Sequence, residues 1–412
     1  MKTKVNWLPL FFSNYLGVLN DNLLKNLICF ISIYWVARGN ESIIIMLATG
    51  FMVLPYILFS PYSGLLAKTI QKQKIVLYAK FAEIPIMTVA FTGFWIENIY
   101  VVMIAMFFMG LQSCIYSPSK YGLIRDIGGE EKISYGTGII EMLTFMGVLT
   151  GTFIAGVISD IIQNQIWIIF GAFMLISILG YISGLYVKAV ESEPLKRANE
   201  SLNPISFILK NYKWSIKNAP ELNFIVLGLA TFWLVGSMIQ MNMLIHCPQN
   251  LGLTNTETGI VMALVAISIG LGTWISGILA KKSVEVGIIP VGGIGLTVNI
   301  LVIYILNPGS YIFTALIMLA AFSAGLLKVP LNAWMQENIK GRKLGDAIAY
   351  NNLVDFVFIL ISAGLFGLLE TAFGSRNVFL GIAILSTTLT LFLMFKLKGV
   401  KQSFTKVFKI KV

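Results

Sequence analysis

Twelve runs of largely apolar residues, at 8–34, 42–66, 74–94, 98–117, 134–158, 165–187, 223–246, 257–280, 284–306, 310–329, 347–370 and 377–395, take up most of the chain. A helix rises about 1.5 Å per residue, so about 20 such residues cross a hydrocarbon core of about 30 Å. Inside lipid every backbone N–H and C=O must find a partner within its own segment, which leaves the helix as the solution for runs of this length. Composition agrees. Hydrophobic residues make up 57% of the chain and charged residues 12%, against about 45–50% and about 25% in soluble domains. A water-soluble fold of this make-up could not cover its own surface. The sequence therefore predicts an all-α integral membrane protein of twelve transmembrane helices.

An even number of spans places both termini on one side, and the basic residues choose which. Lys and Arg accumulate in short cytoplasmic loops. With both termini cytoplasmic, 26 of the 30 Lys and Arg residues fall on that side, only Arg38 and Arg376 face out, and Lys25 and Lys80 lie inside spans. This bias accounts for the net charge of +11 without a basic patch for nucleic acid. The tail residues Lys396, Lys398, Lys401, Lys406, Lys409 and Lys411 then sit beside anionic lipid headgroups, each adding about 1 kcal/mol of attraction. No signal-peptide cleavage pattern precedes the first run, so that run is expected to direct insertion. Cys29, Cys114 and Cys247 lack the spacing of a zinc site or disulfide framework and read as packing residues, and the single His246 gives no basis for a His-based metal centre. There is no Walker loop, so ATP-driven transport by this chain is not expected, nor is any cofactor.

The stretch 188–222 is the longest polar interval. It divides the chain into a six-helix half at 1–187 and another at 223–395, followed by a basic tail at 396–412. Within this linker, Ile205, Phe207, Ile208, Tyr212, Trp214 and Ile216 interleave with Lys210, Lys213 and Lys217, the pattern of an interfacial amphipathic helix. A weak internal repeat relates the halves: span 4 ends in Tyr116-Ser117-Pro118-Ser119-Lys120 and span 10 in Lys328-Val329-Pro330-Leu331-Asn332, 212 residues on, each expected to run into a polar loop. Two pseudo-repeat halves related by an axis along the membrane normal, with the substrate path between them, make the major facilitator fold.

A charge at mid-bilayer costs at least about 2.5–3.5 kcal/mol, so each ionisable group inside a span needs a partner, a wet cavity or a task. Asp21 and Lys25 in span 1 are four apart, share a helix face and can neutralise one another; Asn14, Asn22 and Asn26 widen the same stripe. The stripe reads as cavity lining, against the plainer reading of a pair that only eases insertion. Lys80 and Glu83 repeat the arrangement in span 3, where a structural pair and a ligand contact fit equally, because Lys80 can snorkel. Glu141 opens span 5 as a lone acid, followed by Gly147, Gly151 and Gly156, whose spacing points to close helix packing. In the second half, Gln240 and Asn242 lie in span 7, and Asn351, Asn352 and Asp355 form one patch at the start of span 11. Spans 1 and 7, and spans 5 and 11, are mates under a six-helix repeat, which favours a shared central cavity.

Three segments resemble the lysophospholipid transporter family of the major facilitator superfamily. They are Asn20-Asp21-Asn22 with Lys25 and Asn26, Tyr116-Ser117-Pro118-Ser119-Lys120-Tyr121-Gly122, and Val329-Pro330-Leu331-Asn332-Ala333 with Gln336-Glu337, in matching order across nearly the whole chain. Two departures stand out. In the Gly64 to Lys74 segment Lys68 occupies the place of the superfamily's loop aspartate, and Gln240 occupies that of a family arginine after Phe232-Trp233. The resemblance implies inward movement of lysophospholipids, chiefly lysophosphatidylethanolamine, across the bacterial inner membrane. It also implies a separate cytosolic acyltransferase/acyl-carrier-protein synthetase that re-acylates them. The candidate substrate-binding set is Asp21, Asn22, Lys25, Asn26, Lys80, Glu83, Lys120, Tyr121, Arg125, Glu141, Gln240, Asn332, Asn351, Asn352 and Asp355. Asp21, Lys25 and Glu141 would engage the head, while Lys120 and Arg125 would guide the phosphate or else serve topology alone. The alternatives are a proton-coupled exporter or permease, with Asp21 or Glu141 as the proton site, and a non-transporting scaffold for the acyltransferase.

Overall fold

The structure is a computed structural model that describes residues 6–31, 35, 41–161, 166–196, 202–280, 284–400 and 403. Of the basic residues used for orientation, Lys2, Lys4, Arg38, Arg197, Lys281, Lys282, Lys401, Lys406, Lys409 and Lys411 lie outside the described residues.

Among the described residues there are thirteen α-helices and no strand: α1 (Leu8–Ile31), α2 (Glu41–Thr69), α3 (Lys72–Trp95), α4 (Ile99–Gly128), α5 (Ile133–Ile161), α6 (Trp167–Leu185), α7 (Pro204–Asn218), α8 (Glu221–Leu251), α9 (Asn255–Leu279), α10 (Ile288–Leu306), α11 (Ser310–Asn338), α12 (Lys343–Phe373) and α13 (Ser375–Lys396). Eleven are long and apolar enough to cross a membrane. The twelfth is α1, whose hydropathy is lowered by Asn14, Asn20, Asp21, Asn22, Lys25 and Asn26. The remaining helix, α7, is the amphipathic segment of the linker, and its 15 residues are too few to span. It has three sectors. Phe207, Asn211 and Ser215 are buried, Ile205, Leu209, Tyr212 and Ile216 form an exposed apolar stripe, and Lys210, Lys213 and Lys217 lie beside that stripe.

Several helices outrun the apolar spans that announce them. Span 4 is expected to end at 117, yet α4 continues to Gly128; span 10 is expected to end at 329, yet α11 continues to Asn338. The two repeat motifs therefore lie inside helices and not at the start of loops. A run of hydropathy stops where polar side chains begin, whereas the i to i−4 backbone ladder needs only helical φ and ψ. Pro118 and Pro330 are carried within these helices. What ends α4 is Gly129, whose φ of 74° closes the helix as its N–H donates to the Arg125 carbonyl at 2.8 Å.

The chain forms two compact units, neither continuous in sequence. The first comprises Met1–Gly129, Met146–Asn211 and Lys340–Leu353; the second comprises Glu130–Phe145, Tyr212–Ile339 and Val354–Val412. In the first, Leu23, Leu24, Leu27 and Ile28 of α1 bury against Met87, Phe91 and Phe94 of α3, Met103 and Met106 of α4 and Phe173 of α6. In the second, Met238 and Met243 of α8, Ile300 of α10, Phe313 and Ile317 of α11 and Phe379 and Ile382 of α13 play the same part. Helices in lipid gain little from the hydrophobic effect and associate through close packing and polar contacts. Gly151 of α5 shows the first of these, since a Cβ there would enter the Leu19 carbonyl of α1, and one at Gly147 would lie 3.0 Å from Val18 Cβ. The packing expected of these glycines holds for both, but a Cβ at Gly156 would meet nothing within 4 Å among the described residues. In the second unit Gly325 of α11 meets α9 in the same way, with the Ile269 carbonyl 2.5 Å from where its Cβ would stand.

Candidate functional site

In the first unit α1, α2, α3 and α4 enclose a cavity of about 70 Å³, room for a few waters, lined by Asn14, Asp21, Tyr56, Lys80, Gln112, Ser113, Tyr116 and Lys120, among others. Asp21 stands in the middle of α1, where its Oδ2 accepts a hydrogen bond from Ser113 Oγ of α4 at 2.8 Å. Among the described residues it forms no ion pair with Lys25, contrary to the pairing expected from their spacing. A shared helix face brings two side chains near each other, but Ser113 reaches across from a neighbouring helix and takes the carboxylate. Lys80 and Glu83 do pair, at 2.5 Å and with each side chain only 1% exposed. Gln112 Nε2 donates to the same Glu83 oxygen at 3.0 Å, which excludes a snorkelling Lys80. The Lys80 ammonium lies 5.0 Å from the Tyr116 ring centroid, and the buried Lys120 lies 4.6 Å from that of Tyr121. Asn26 Nδ2 donates to Thr152 Oγ1 of α5 at 3.0 Å, and Asn22 Nδ2 donates to the Val18 carbonyl at 2.8 Å. These two asparagines hold helices as much as they line a path. Sequence reasoning missed Gln112 and Ser113, and took Tyr116 only as the first residue of a motif. The signal was present, because Ser113, Ser117 and Lys120 recur at helical spacing on α4, but weakly polar residues in an apolar run attract little notice.

The second unit holds a different cluster. Glu141, alone in its span and expected to face either a partner or water, faces a partner: its Oε2 accepts from Lys328 Nζ of α11 at 2.6 Å, and its Oε1 accepts from Asn332 Nδ2 at 3.0 Å. One turn earlier on α5, Thr137 Oγ1 accepts from Gln336 Nε2 at 2.9 Å. Thr137 and Glu141 on α5 thus face Lys328, Asn332 and Gln336 on α11, each series stepping by four residues. Lys328 was expected at a span end on the cytoplasmic side; it is instead inside α11 and 2% exposed. Its ammonium stands 5.0 Å from the Phe145 ring centroid, 5.2 Å from that of Phe232 and 4.4 Å from that of Trp233.

The start of α12, which belongs to the first unit, explains the departure at Lys68. Asp346 of α12 pairs with Lys68 at 2.5 Å and with Lys343 at 2.6 Å, so the acid that the segment lacks is supplied by another helix, with the polarity reversed. Arg342 donates to the carbonyls of Ala67 at 3.2 Å and Ile70 at 2.9 Å at the C-terminal end of α2, where helix carbonyls lack intrahelical partners. Of the other candidates, Asn352 Nδ2 donates to Ser117 Oγ at 2.9 Å, Asn351 and Asp355 are buried on α12, Tyr121 and Arg125 are half-buried, and Gln240 is exposed on α8. Asn242 of the same helix is buried, donating to the Ser375 carbonyl at 3.0 Å.

Comparison with known proteins agrees with this architecture. Residues 8–363 and 225–409 match the Major Facilitator Superfamily. The chain is 25% identical over 363 residues to the lysophospholipid transporter LplT of Escherichia fergusonii, and 25% identical over 367 residues to LplT of Escherichia coli O1:K1 / APEC, covering 86% of each chain in both cases. Among solved structures, the human organic anion transporter MFSD10 (TETRAN) superposes with a TM-score of 0.77 at 12% identity, over 93% of this chain and 99% of that one. The transporter FucP in its outward conformation superposes with a TM-score of 0.73 at 11% identity, over 94% and 98%. The helix order, the interhelical glycine crossings and the family match lead to one conclusion: this chain belongs to the Major Facilitator Superfamily, as a transporter similar to LplT.

Proposed function

We propose that the protein moves lysophospholipids, chiefly lysophosphatidylethanolamine, from the outer to the inner leaflet of the bacterial inner membrane by alternating access of two six-helix halves, 1–187 and 223–395. The observation that carries this reading is the cavity of the first unit, which is lined by charges of both signs. Asp21, Lys80 and Lys120 line it, one carboxylate and two ammoniums, and Glu83 pairs with Lys80 from behind the wall. A zwitterionic head has one group for each sign. Asp21 Oδ1 is buried without a hydrogen-bond partner among the described residues, and an ionised carboxylate accepts on both oxygens, so Asp21 remains available to an ammonium donor in the cavity. Lys80 and Lys120 suit the phosphate. The acyl chain stays among Met, Phe and Leu side chains.

Both termini lie in the cytoplasm in this reading, as the basic residues indicate, and α7 rests its apolar stripe in the inner headgroup layer with its lysines toward anionic lipid. A cytosolic acyltransferase/acyl-carrier-protein synthetase consumes the delivered lipid, which keeps the gradient inward without ion coupling.

The test is transport of labelled lysophosphatidylethanolamine into liposomes containing the purified protein. Transport that persists without a pH gradient is expected; strict dependence on one favours the proton-coupled permease, and no movement of any lysophospholipid defeats the proposal. Asp21→Ala should abolish uptake with membrane insertion intact, and normal uptake in that variant removes Asp21 from the site.

A further inference from the structure

The geometry around Lys328 points to a receptor for an alkylammonium group, built from Phe145, Phe232, Trp233 and Glu141, that Lys328 fills with its own ammonium. A single ring near a lysine is ordinary. Here three rings from α5 and α8 surround one nitrogen at 4.4 to 5.2 Å from their centroids, inside the roughly 6 Å over which a ring face attracts a cation. The carboxylate is fully buried and already shares its second oxygen with Asn332. Aromatic walls closed at one end by a carboxylate are the environment that recognises primary and quaternary ammonium ions. The site has too few oxygen ligands for a metal cation and no donor set for an anion.

Lys328 reaches this box from a third helix, α11, on a flexible four-carbon stem, so it can withdraw while the box stays in place. Its withdrawal alone would break a buried ion pair with nothing gained in return. A ligand that carries both an ammonium and a phosphate removes that obstacle, because its ammonium takes the rings and Glu141 while Lys328 turns to its phosphate. Four charges enter the exchange and four leave it paired. A head with phosphate and no amine satisfies Lys328 but brings no cation to the rings and Glu141, so the box selects for amine-bearing heads. The choice of ligand rests on the lysophospholipid reading above; the receptor itself does not.

The experiment has two arms, so that the receptor and the transport reading fail separately. The first uses choline, which has neither phosphate nor acyl chain, and calorimetry on the purified full chain. Lys328→Met removes the tethered competitor and should bind choline at least about tenfold more tightly than the unaltered chain, the range that one or two cation–π contacts supply. Lys328→Met/Trp233→Leu should lose that gain. Where Lys328→Met is too unstable to titrate, choline should raise its melting temperature, and Phe145→Leu in the same background should cancel the rise. Equal choline binding by the unaltered chain and Lys328→Met, with no thermal rescue, overturns the receptor. The second arm compares lysophosphatidylethanolamine with lysophosphatidylglycerol in liposomes. Trp233→Leu should reduce the preference for the amine-bearing lipid about tenfold; an equal fall for both lipids shows a merely structural ring and overturns the assignment. If neither lipid moves, the transport reading fails and the choline arm alone decides the receptor.

Discussion

Asp346 holds two ammonium groups at once, Lys68 at 2.5 Å and Lys343 at 2.6 Å, and its own side chain is 1% exposed. Removing one partner of a buried pair strands the other and costs about 3–5 kcal/mol. Asp346→Asn takes the carboxylate away from both lysines, whereas Lys68→Met leaves Asp346 still paired with Lys343. Thermal melts of the purified variants should therefore rank Asp346→Asn as the more destabilised, and the reverse order would show that Lys343 does not compensate. The same chemistry explains what could be read from the sequence at this scale. Lys80 and Glu83 are three apart, and helical spacing alone foretells their pair. Glu141 and Lys328 are 187 residues apart, and no spacing rule joins them. Asp21 shows the limit of the rule: its helix-mate Lys25 was in register, yet Ser113 of another helix has its carboxylate.

At the scale of elements, hydropathy located every spanning helix but not its ends. Hydropathy reports what lipid tolerates, while helix ends depend on caps such as Gly129 and Asn98, whose Oδ1 accepts from Tyr100 N at 3.0 Å and opens α4. The glycines of α5 were legible as packing residues, but which of them touch a neighbour was not, since Gly147, Gly151 and Gly156 look alike in sequence. The structure separates them. Gly151→Val drives a side chain into the Leu19 carbonyl, and overpacking of this kind costs about 1–3 kcal/mol. A lower melting temperature and reduced yield are expected for this variant, with Gly156→Val close to the unaltered protein. Equal melting of the two would deny the α1–α5 crossing its tightness.

For the whole molecule, the seam between α5 and α11 inside the second unit is the place to test motion. Thr137 and Gln336 meet there at 2.9 Å, and in the proposed cycle this seam opens. In a background with Cys29, Cys114 and Cys247 replaced, Thr137→Cys/Gln336→Cys joined by a short thiol cross-linker should stop lysophosphatidylethanolamine transport, and reduction should restore it. Full-rate transport in the cross-linked protein would show that the seam stays shut throughout. The helices that form such seams are longer than the membrane requires. The 30 residues of α4 make a rod of about 45 Å against a hydrocarbon core of about 30 Å, and one end overhangs. That rod carries Ser113, bonded to Asp21 at the cavity, and Arg125 on its last turn. Pivoted about its far end, it would swing its tip by about 8 Å for a tilt of about 10°. Ser113, at the middle of the rod, would travel about half as far, so in the proposed cycle the contact with Asp21 must break whenever the tip makes its stroke.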